Sequence, residues 1–348
     1  MAKKALIIGA ARSGLAAAAF LAQRGTEVVL TDTNEKNRAK CEEELKDYDI
    51  TYIWGEQPDI DEIKPDFLVM SPGVPLTIAP VKRARELNIP LTGEIELAYQ
   101  NAKAPIVAIT GTNGKTTTTT LVGEIFKAAG METGVGGNIG TSLLSESERI
   151  SASGVLVAEI SSFQLETADK FKPKAAAILN LTPDHLDRHG DMAGYLAAKA
   201  KIFAAQDEND YLILNYDDEY LRPLAAQARG QVLFFSRKHI LESGVYVHDD
   251  IVCAAFKDET IEICRAEEIM IKGAHNLENA MAAAALCLVM GIKVDIIAKV
   301  LKTFPGVEHR LEPVRTLNGV LYVNDSKGTN PDSTAKALEA YDRPLVLI

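Results

Sequence analysis

The chain has 348 residues, of which 47% are hydrophobic and 24% are charged, and its formal net charge is −11. This length exceeds what one compact core usually organises, so two or three domains are expected. The acidic balance argues against a basic surface for nucleic acid or anionic lipid, and the longest apolar run, residues 280–290, is too short to cross a bilayer.

The cysteines are widely separated in the sequence. They show neither the close pairing of a zinc site nor the density of a disulfide-rich secreted domain. The pattern therefore predicts free thiols in a reducing cytoplasm, at Cys41, Cys253, Cys264 and Cys287.

The segment 1–93 alternates strand and helix patterns. The apolar run KKALIIG leads through a glycine turn into a helix over residues 15–24, and EVVLTD and DFLVMSPG follow as further strands. This alternation predicts a parallel sheet. We place the end of this first domain near Thr92 and Gly93.

The segment 94–305 repeats the alternation. Its strand patterns are PIVAIT, VLVAEIS, AAAILN and DYLILN, and its helical patterns cover residues 115–129, 192–205, 277–290 and 294–303. Short strands over residues 234–263 suggest a small antiparallel annex. Pro305 and Gly306 end this second domain.

The segment 306–348 begins a third α/β unit with the strand and small-residue loop VLYVNDSKGTN, followed by a helix over residues 333–341. The final PLVLI has the pattern of a buried strand. A parallel sheet needs cover on both faces, so we expect a C-terminal portion beyond Ile348.

The stretch ITGTNGKTTTTT, residues 109–120, joins a buried-type strand to a helix. Backbone N–H groups at such a helix start favour phosphate. Lys115 would reach the outer phosphates, and the Thr116 hydroxyl would bind Mg²⁺. Ile109 stands where the usual pattern has its first glycine, and an ordinary strand-to-helix turn is the alternative. We predict a nucleoside triphosphate site.

The turn GAARSG, residues 9–14, invites a dinucleotide interpretation with Asp32 as the acid that binds ribose. Ala11 replaces the middle glycine, however, so close approach of a pyrophosphate is less favourable. A purely structural turn, a nucleotide or nucleotide-sugar site and a redox dinucleotide site all remain open. Ser13 and Asp32 could contact a ligand in either binding case.

Two strand ends carry candidate metal ligands. Glu159 ends VLVAEIS, and His185 lies in NLTPDHLDRHG after the next strand, so both should reach the sheet edge that bears the phosphate loop. Alone, Glu159 would be read as a solvated residue, and His189 as a cap or surface residue. Lys199 alone is a solvated helix lysine, since Mg²⁺ would repel an ammonium group.

Polar groups near the third unit are further candidates. Asn279 could reach a base edge, Arg310 could offset phosphoryl charge, and Lys327 could meet an anion. Helix capping, surface pairing and a simple turn are about equally good explanations.

Together, these stretches resemble the Mur ligase family of bacterial peptidoglycan synthesis. GTNGKTT is also found in folylpolyglutamate synthetases, whereas GGNIG, EISSFQLE, NLTPDHLDRH, YLAAKAKIF, GAHNLENA, HRLE and NDSKGTN are sharper marks and occur in family order. The family also lacks the first glycine of the phosphate loop. The resemblance implies a three-domain α/β architecture, with a Rossmann-like UDP-binding domain over 1–93, a P-loop ATPase-type domain over 94–305 and the start of an amino-acid-binding, Rossmann-like domain over 306–348.

The resemblance also implies roles for individual residues. The implied ATP contacts are Gly111, Thr112, Asn113, Gly114, Lys115, Thr116, Thr117, Asn279, Arg310 and Asp325. The implied contacts to the UDP-linked substrate are Ser13, Asp32, Thr33, Gly73, Asn138, Ser161 and Gln164. The implied metal ligands, for two Mg²⁺ ions, are Thr116, Glu159, His185 and a carbamylated Lys199. Lys327 and Thr329 would lie near the incoming amino acid, and the implied catalytic residues are Lys115, His185, Lys199 and Arg310.

The function implied is ATP-dependent amide formation through an acyl phosphate, by a cytoplasmic monomer that needs neither nucleic acid nor membrane. EISSFQLE favours the branch that adds D-glutamate to UDP-N-acetylmuramoyl-L-alanine over branches that add other amino acids. Most residues that grip D-glutamate are expected beyond Ile348. A dehydrogenase built on GAARSG and a non-enzymatic nucleotide switch are the alternatives.

Overall fold

The computed structural model describes residues 3–256, 259–341 and 344–348 as an α/β protein with two sheets and a separate hairpin. Within these ranges, every helix falls short of the length and apolarity that a membrane crossing requires. The four cysteines are buried free thiols, as predicted.

The first unit is a five-stranded parallel sheet with flanking helices. Its strands are β1 (Lys4–Ile8), β2 (Glu27–Asp32), β3 (Ile50–Trp54), β4 (Phe67–Met70) and β5 (Leu91–Gly93), in the spatial order β3-β2-β1-β4-β5. Its helices are α1 (Arg12–Gln23), α2 (Arg38–Glu44), α3 (Ile60–Ile63) and α4 (Ala79–Glu86). The strand order reverses between β1 and β4, where open parallel sheets form a crevice at their carboxyl edge.

The central unit is built on a nine-stranded sheet. Its strands are β6 (Ile106–Thr110), β7 (Thr133–Gly137), β8 (Val155–Glu159), β9 (Ala175–Ile178), β10 (Tyr211–Asn215), β11 (Gln231–Ser236), β12 (Gly244–His248), β13 (Ile251–Phe256) and β14 (Glu259–Arg265), in the spatial order β14-β13-β12-β11-β10-β9-β6-β8-β7. β6 is fully buried in the middle of the parallel part, which fixes the position of the loop after it.

The helices of this unit cover both faces of the sheet. They are α5 (Glu94–Asn101), α6 (Lys115–Ala128), α7 (Leu143–Arg149), α8 (Ser162–Leu165), α9 (Leu186–His189), α10 (Met192–Ala200), α11 (Ala274–Val289) and α12 (Val294–Thr303). The alanine-rich middle of α11, residues 280–285, is completely buried. Its small side chains let α11 pack against α6, directly behind the phosphate loop. This packing holds the start of α6 in place.

The third unit consists of the antiparallel strands β15 (Glu312–Leu317) and β16 (Val320–Asn324), followed by α13 (Pro331–Glu339). Several apolar side chains of the hairpin are exposed, among them Val314 and Val320 at 59% and 56%. This unit contributes to the site through the segment before β15, the loop between β16 and α13, and α13 itself.

Most sequence-predicted elements are confirmed, and the differences have local causes. α11 begins at Ala274 and α1 at Arg12, three residues earlier than predicted, because the preceding glycine turns are shorter than the polar stretches suggest. α10 ends at Ala200 and continues only as a 3₁₀ turn.

One prediction is confirmed in part and another is wrong. The expected antiparallel annex is present as β12, β13 and β14, which pair antiparallel, but β11 pairs in parallel with β10 and with β12, so these strands extend the central sheet. Residues 344–348 form no strand; β15 and β16 pair with each other, and Val346 is 89% exposed.

Candidate functional site

The predicted phosphate loop lies between β6 and α6, at the carboxyl edge of the central sheet. Gly114 precedes α6 in the left-handed region, with a φ of 83°, which favours glycine. The loop is braced by Asn180, which accepts from the backbone N–H of Asn113 at 2.9 Å and donates to its carbonyl oxygen at 3.1 Å. The loop therefore has a fixed shape.

Asn279 of α11, one of the predicted ATP contacts, packs directly against this loop. A Cβ atom on Gly114 would lie 2.2 Å from Oδ1 of Asn279. Asn279 is 4% exposed, and its Nδ2 donates to Oδ1 of Asn276 at 3.1 Å. Gly114 is thus required by both backbone conformation and space.

Lys115 folds back over the loop. Its Nζ donates to the carbonyl oxygens of Gly111 at 2.9 Å and Thr112 at 2.7 Å. Burial lowers the pKa of Lys115, Glu159 opposes that shift, and the positive charge of Arg310 adds to it. The ammonium is held at the loop rather than in solvent.

Lys199 lies beneath the same loop and is not the solvated helix lysine that its sequence context alone suggests. It is 1% exposed, and its Nζ donates to the carbonyl oxygen of Gly111 at 2.8 Å. The Tyr195 ring lies 4.3 Å from the ammonium. Burial holds the pKa of Lys199 well below its usual range, and the charge of Lys115 lowers it further. A lowered pKa increases the fraction of this amine that is unprotonated and able to react as a nucleophile.

Glu159 ends β8 and is 1% exposed. Its Oε1 accepts from Nδ2 of Asn138 at 2.8 Å, whereas its Oε2 is buried without a hydrogen-bond partner. A buried, unpartnered carboxylate oxygen is costly unless a cation or donor completes it. The position of Glu159 therefore fits a metal ligand.

A cavity of about 370 Å³, here called the main cavity, opens in front of the loop. Its lining brings together many of the predicted residues: Thr112, Asn113, Gly114, Lys115, Thr116, Asn138, Glu159, His185, Arg310, Lys327 and Thr329. Lys327 and Thr329 come from the third unit and face the phosphate loop across it. Several of the predicted ATP and metal residues and both predicted amino-acid residues thus line one cavity, whereas Lys199 lines neither this cavity nor the next one described.

His185 has a φ of 52° at the start of α9, and its ring lies 4.8 Å from that of Phe163. Its Nδ1 is 3.7 Å from Oδ1 of Asp184, which also lines the main cavity. Among the described residues, no group of three or more His, Cys, Asp and Glu side chains is arranged to hold a metal ion. Any Mg²⁺ site here must therefore be completed by other groups, such as the Thr116 hydroxyl and phosphate oxygens.

A second, adjoining cavity shares Asn113, Gly114, Thr116 and Arg310 with the main one. It is also lined by the predicted residues Thr117, Asn279 and Asp325. His275, which the sequence analysis did not select, lines it too, and burial lowers the pKa of His275 to about 4. The neutral imidazole can accept as well as donate a hydrogen bond.

The predicted UDP residues of the first unit lie apart from these cavities. Asp32 accepts from the backbone N–H groups of Ala10 at 2.8 Å and Asn34 at 2.8 Å, so it shapes the glycine turn. A Cβ on Gly14 would lie 1.9 Å from the carbonyl oxygen of Gly9, so the turn is tightly packed. Ser13 is half-buried at the start of α1, and Thr33 and Gly73 are exposed at the same carboxyl edge.

Ser161 and Gln164 form a capping box for α8. The Ser161 hydroxyl accepts from the backbone N–H of Gln164 at 3.3 Å, and Gln164 Oε1 accepts from the Ser161 backbone N–H at 2.9 Å. Gln164 is only 4% exposed. These side chains are engaged with each other and line neither cavity described above.

Two residues that join units, Arg12 and Asp332, were not among the residues predicted from the sequence. Arg12 donates to the carbonyl oxygens of Gly140 at 2.5 Å and of Gly137 and Asn138 at 3.0 Å, which ties the first glycine turn to the GGNIG loop. Asp332 of α13 accepts from Nδ2 of Asn113 at 2.7 Å. Arg12 stands within GAARSG, but its partners are backbone carbonyls, which leave no pattern in a sequence.

Comparison with known proteins places this geometry in a family. Residues 3–93 match the family model "Mur ligase MurD-like, N-terminal domain", and residues 109–287 match "Mur ligase middle domain". Among solved structures, the Acinetobacter baumannii MurF has a TM-score of 0.61 at 19% identity, and the match covers 95% of this chain and 69% of that one. MurC from Thermotoga maritima has a TM-score of 0.57 at 20% identity, with 98% and 77% covered. These structural likenesses confirm the predicted Mur ligase type of α/β fold.

Curated relatives are much more similar in sequence. A protein of Pelotomaculum thermopropionicum named UDP-N-acetylmuramoylalanine--D-glutamate ligase is 52% identical over 347 residues, which cover 99% of this chain and 76% of that relative. A protein of the same name from Clostridioides difficile is 46% identical, with 99% and 77% covered. The chain therefore belongs to the Mur ligase family.

Proposed function

We propose that this chain is an ATP-dependent ligase that joins D-glutamate to UDP-N-acetylmuramoyl-L-alanine, with ADP and phosphate as the other products. The names of its relatives and EISSFQLE support the choice of D-glutamate. The observation that carries the chemistry is the main cavity, where the phosphate loop faces Glu159, His185 and Lys327. The reaction is a step in building peptidoglycan precursors for the cell wall. Its use of ATP and the four free thiols support a cytoplasmic enzyme.

The first step is phosphoryl transfer. The terminal carboxylate of UDP-N-acetylmuramoyl-L-alanine attacks the γ-phosphorus of ATP, a carboxylate oxygen–phosphorus bond forms, and the bond to the bridging oxygen of ADP breaks. Lys115 and Arg310 both face the main cavity and offset the charge spread over the transferred group. An acyl phosphate and ADP result.

The second step is amide formation. The D-glutamate amine attacks the acyl carbonyl carbon and forms the carbon–nitrogen bond, and the amine loses a proton. The bond from that carbon to the bridging oxygen breaks, and phosphate leaves with the bond's electron pair. Lys327 and Thr329 lie across the main cavity from the phosphate loop, and we assign them to the side of the incoming amino acid. Holding the three reactants in line supplies much of the acceleration.

Thr116, Glu159 and His185 would hold Mg²⁺, and the unpartnered Oε2 of Glu159 supports this assignment. The ion would neutralise phosphate charge during transfer. We further propose two such ions and a carbamylated Lys199. Carbamylation would convert the buried cation into an anion, and the low pKa of this amine favours reaction with carbon dioxide.

The UDP-linked substrate is assigned to the first unit. Its crevice between β1 and β4 presents Ser13, Asp32, Thr33 and Gly73 at one edge. Asn138 connects this unit to Glu159, because its backbone carbonyl oxygen accepts from Arg12 and its side-chain amide donates to Glu159. Ser161 and Gln164 would contact the substrate only if the hydrogen bonds of their capping box were broken. We accordingly divide the monomer into a UDP domain over 1–93, an ATP domain over 94–305 and an amino-acid domain beginning at 306.

The test is phosphate release from MgATP with UDP-N-acetylmuramoyl-L-alanine, with and without D-glutamate. We expect sustained release only with both, and L-glutamate serves as the control amino acid. Labelling the substrate carboxylate with ¹⁸O should carry one label into the released phosphate, since the acyl phosphate retains that oxygen. Release indifferent to the sugar nucleotide would support a nucleotide switch instead. Fluorescence change on adding NADH would support the dehydrogenase alternative.

A further inference from the structure

The turn after β4 is one of the places where the first unit contacts the central unit. The Ser71 hydroxyl donates to the carbonyl oxygen of Gly9 at 2.7 Å, and the backbone N–H of Val74 donates to the backbone carbonyl oxygen of Ser71 at 3.0 Å. Between them, Gly73 is exposed, with open space where a side chain would be. The turn thus joins the first glycine turn and leaves room for a ligand at Gly73.

Arg188 of the central unit holds this turn from the other side. Its Nη2 donates to the carbonyl oxygen of Val74 at 3.0 Å and makes a longer contact of 3.5 Å with that of Pro72. These carbonyls flank Gly73 in the chain. Backbone carbonyl oxygens are good acceptors for a guanidinium group, which carries only donors.

The guanidinium group is itself fixed. Its Nε and Nη2 donate to the two carboxylate oxygens of Glu166 at 3.0 Å and 2.6 Å, and the side chains of this pair are 17% and 16% exposed. The Phe163 ring lies 4.9 Å from the Arg188 guanidinium carbon, and Lys201 donates to the Glu166 carbonyl oxygen at 2.7 Å. Such a bidentate, largely buried pair sets direction as well as distance.

Arg188 also belongs to the segment that reaches the main cavity. It lies on the one-turn helix α9, which begins just after His185, and the His185 ring contacts the same Phe163 ring. A movement of the turn at Gly73 would therefore be transmitted over three residues to a side chain of the main cavity. Lysine at this position could not contact Glu166, the turn carbonyls and the Phe163 ring at once, because it lacks the planar guanidinium fork.

We propose that Arg188, oriented by Glu166, is a positioning residue. It holds the turn at Gly73 in the conformation that binds the UDP-linked substrate, and it fixes the position of the first unit relative to the main cavity. This inference rests on the proposed function. Arg188 acts through backbone carbonyls and touches neither ATP nor the reacting atoms. Its loss should therefore affect the sugar nucleotide selectively.

The experiment measures dissociation constants by calorimetry in the full chain, with UDP-N-acetylmuramoyl-L-alanine and with MgATP as separate probes. For Arg188→Ala we expect about tenfold weaker binding of the sugar nucleotide and MgATP binding within about twofold of the unsubstituted chain. Arg188→Lys should give an intermediate value, since lysine keeps the charge near Phe163 but has one donor nitrogen in place of the planar fork. Arg83→Ala is the matched control, because Arg83 makes an exposed pair with Asp61 in the first unit.

Equal sugar-nucleotide affinity in the unsubstituted chain and Arg188→Ala would overturn the inference, as would equal weakening for both ligands. Circular dichroism checks that each variant is folded; if Arg188→Ala does not fold, Arg188→Lys decides the matter by the same comparison. Failure of the unsubstituted chain to bind the sugar nucleotide is a different result, which would overturn the proposed function as well.

Discussion

Substitution of Gly114 by alanine tests whether Asn279 and the phosphate loop form one rigid unit. Gly114 has a φ of 83°, and a non-glycine residue in that region costs about 1–2 kcal/mol. The new Cβ would also lie 2.2 Å from Oδ1 of Asn279, so this side chain must move. Its hydrogen bond to Asn276 is buried, and breaking it costs about 1–3 kcal/mol more.

Gly130 provides a matched control for the backbone contribution. It follows the other end of α6 with a φ of 79°, and an added Cβ would meet nothing within 4 Å. Gly130→Ala should therefore lose only about 1–2 kcal/mol of unfolding free energy. Gly114→Ala should lose about 1–3 kcal/mol more than this control, the cost of displacing Asn279. Urea unfolding followed by circular dichroism measures both losses.

A double variant separates the free-energy cost of displacing Asn279 from the cost of the left-handed backbone conformation at position 114. Adding Asn279→Ala to Gly114→Ala should cost less than Asn279→Ala costs alone, because the displaced amide is then absent. The same series should show weaker MgATP binding for Gly114→Ala than for Gly130→Ala. If Gly114→Ala is no more destabilising than Gly130→Ala, Asn279 does not limit the space at the loop and the reasoning is wrong.

Three further predictions concern buried ionisable groups. Lys199→Ala should lose phosphate release in the full reaction, and bicarbonate or short-chain carboxylic acids should partly restore it; unchanged turnover would remove carbamylation from the mechanism. Glu159→Gln should raise the Mg²⁺ concentration needed for half-maximal activity, measured by metal titration, whereas an unchanged requirement would exclude Glu159 as a ligand. Glu94, 3% exposed, has a pKa raised to about 7 by burial. Because its folded-state pKa is raised, its stability contribution is present below about pH 4.5 and is lost as the pH rises through about 7, by about 3 kcal/mol. Glu94→Gln should therefore flatten the pH dependence of the urea midpoint between pH 5 and 8, and parallel curves for the two proteins would contradict this assignment.

The parallel sheets were predictable from the sequence because their strands are continuous apolar runs between glycine turns. β6 and the start of α6 fall where the pattern places them, at Ile106 and Lys115. β15 was missed because EPVRTL mixes charge and proline with few apolar residues. The antiparallel annex was predicted only in part, because the parallel pairing of β11 with its neighbours depends on strand order, which the local pattern does not contain.

The meeting of candidate side chains at one sheet edge was predictable where a reactive residue type stands at or after a strand end. Glu159 ends a buried parallel strand, Lys115 and His185 come after two others, and the ends of such strands lie at one edge. The fixed geometry of Arg188 was not predictable, because its acceptors include backbone carbonyls of a distant segment. The burial of Lys199 depends on the packing of Tyr195 and the phosphate loop, so the helix sequence alone favoured a solvated residue.

The contacts of Lys115 have a consequence for which nucleotides the enzyme can select. Because its ammonium is satisfied by two carbonyl oxygens of its own loop, an incoming ligand must offer a better acceptor to draw it away. Under the proposed function, the terminal phosphate of ATP would be such an acceptor, whereas a nucleotide too short to reach Lys115 would leave these two hydrogen bonds in place. Lys115 would then favour ATP over AMP at the binding step.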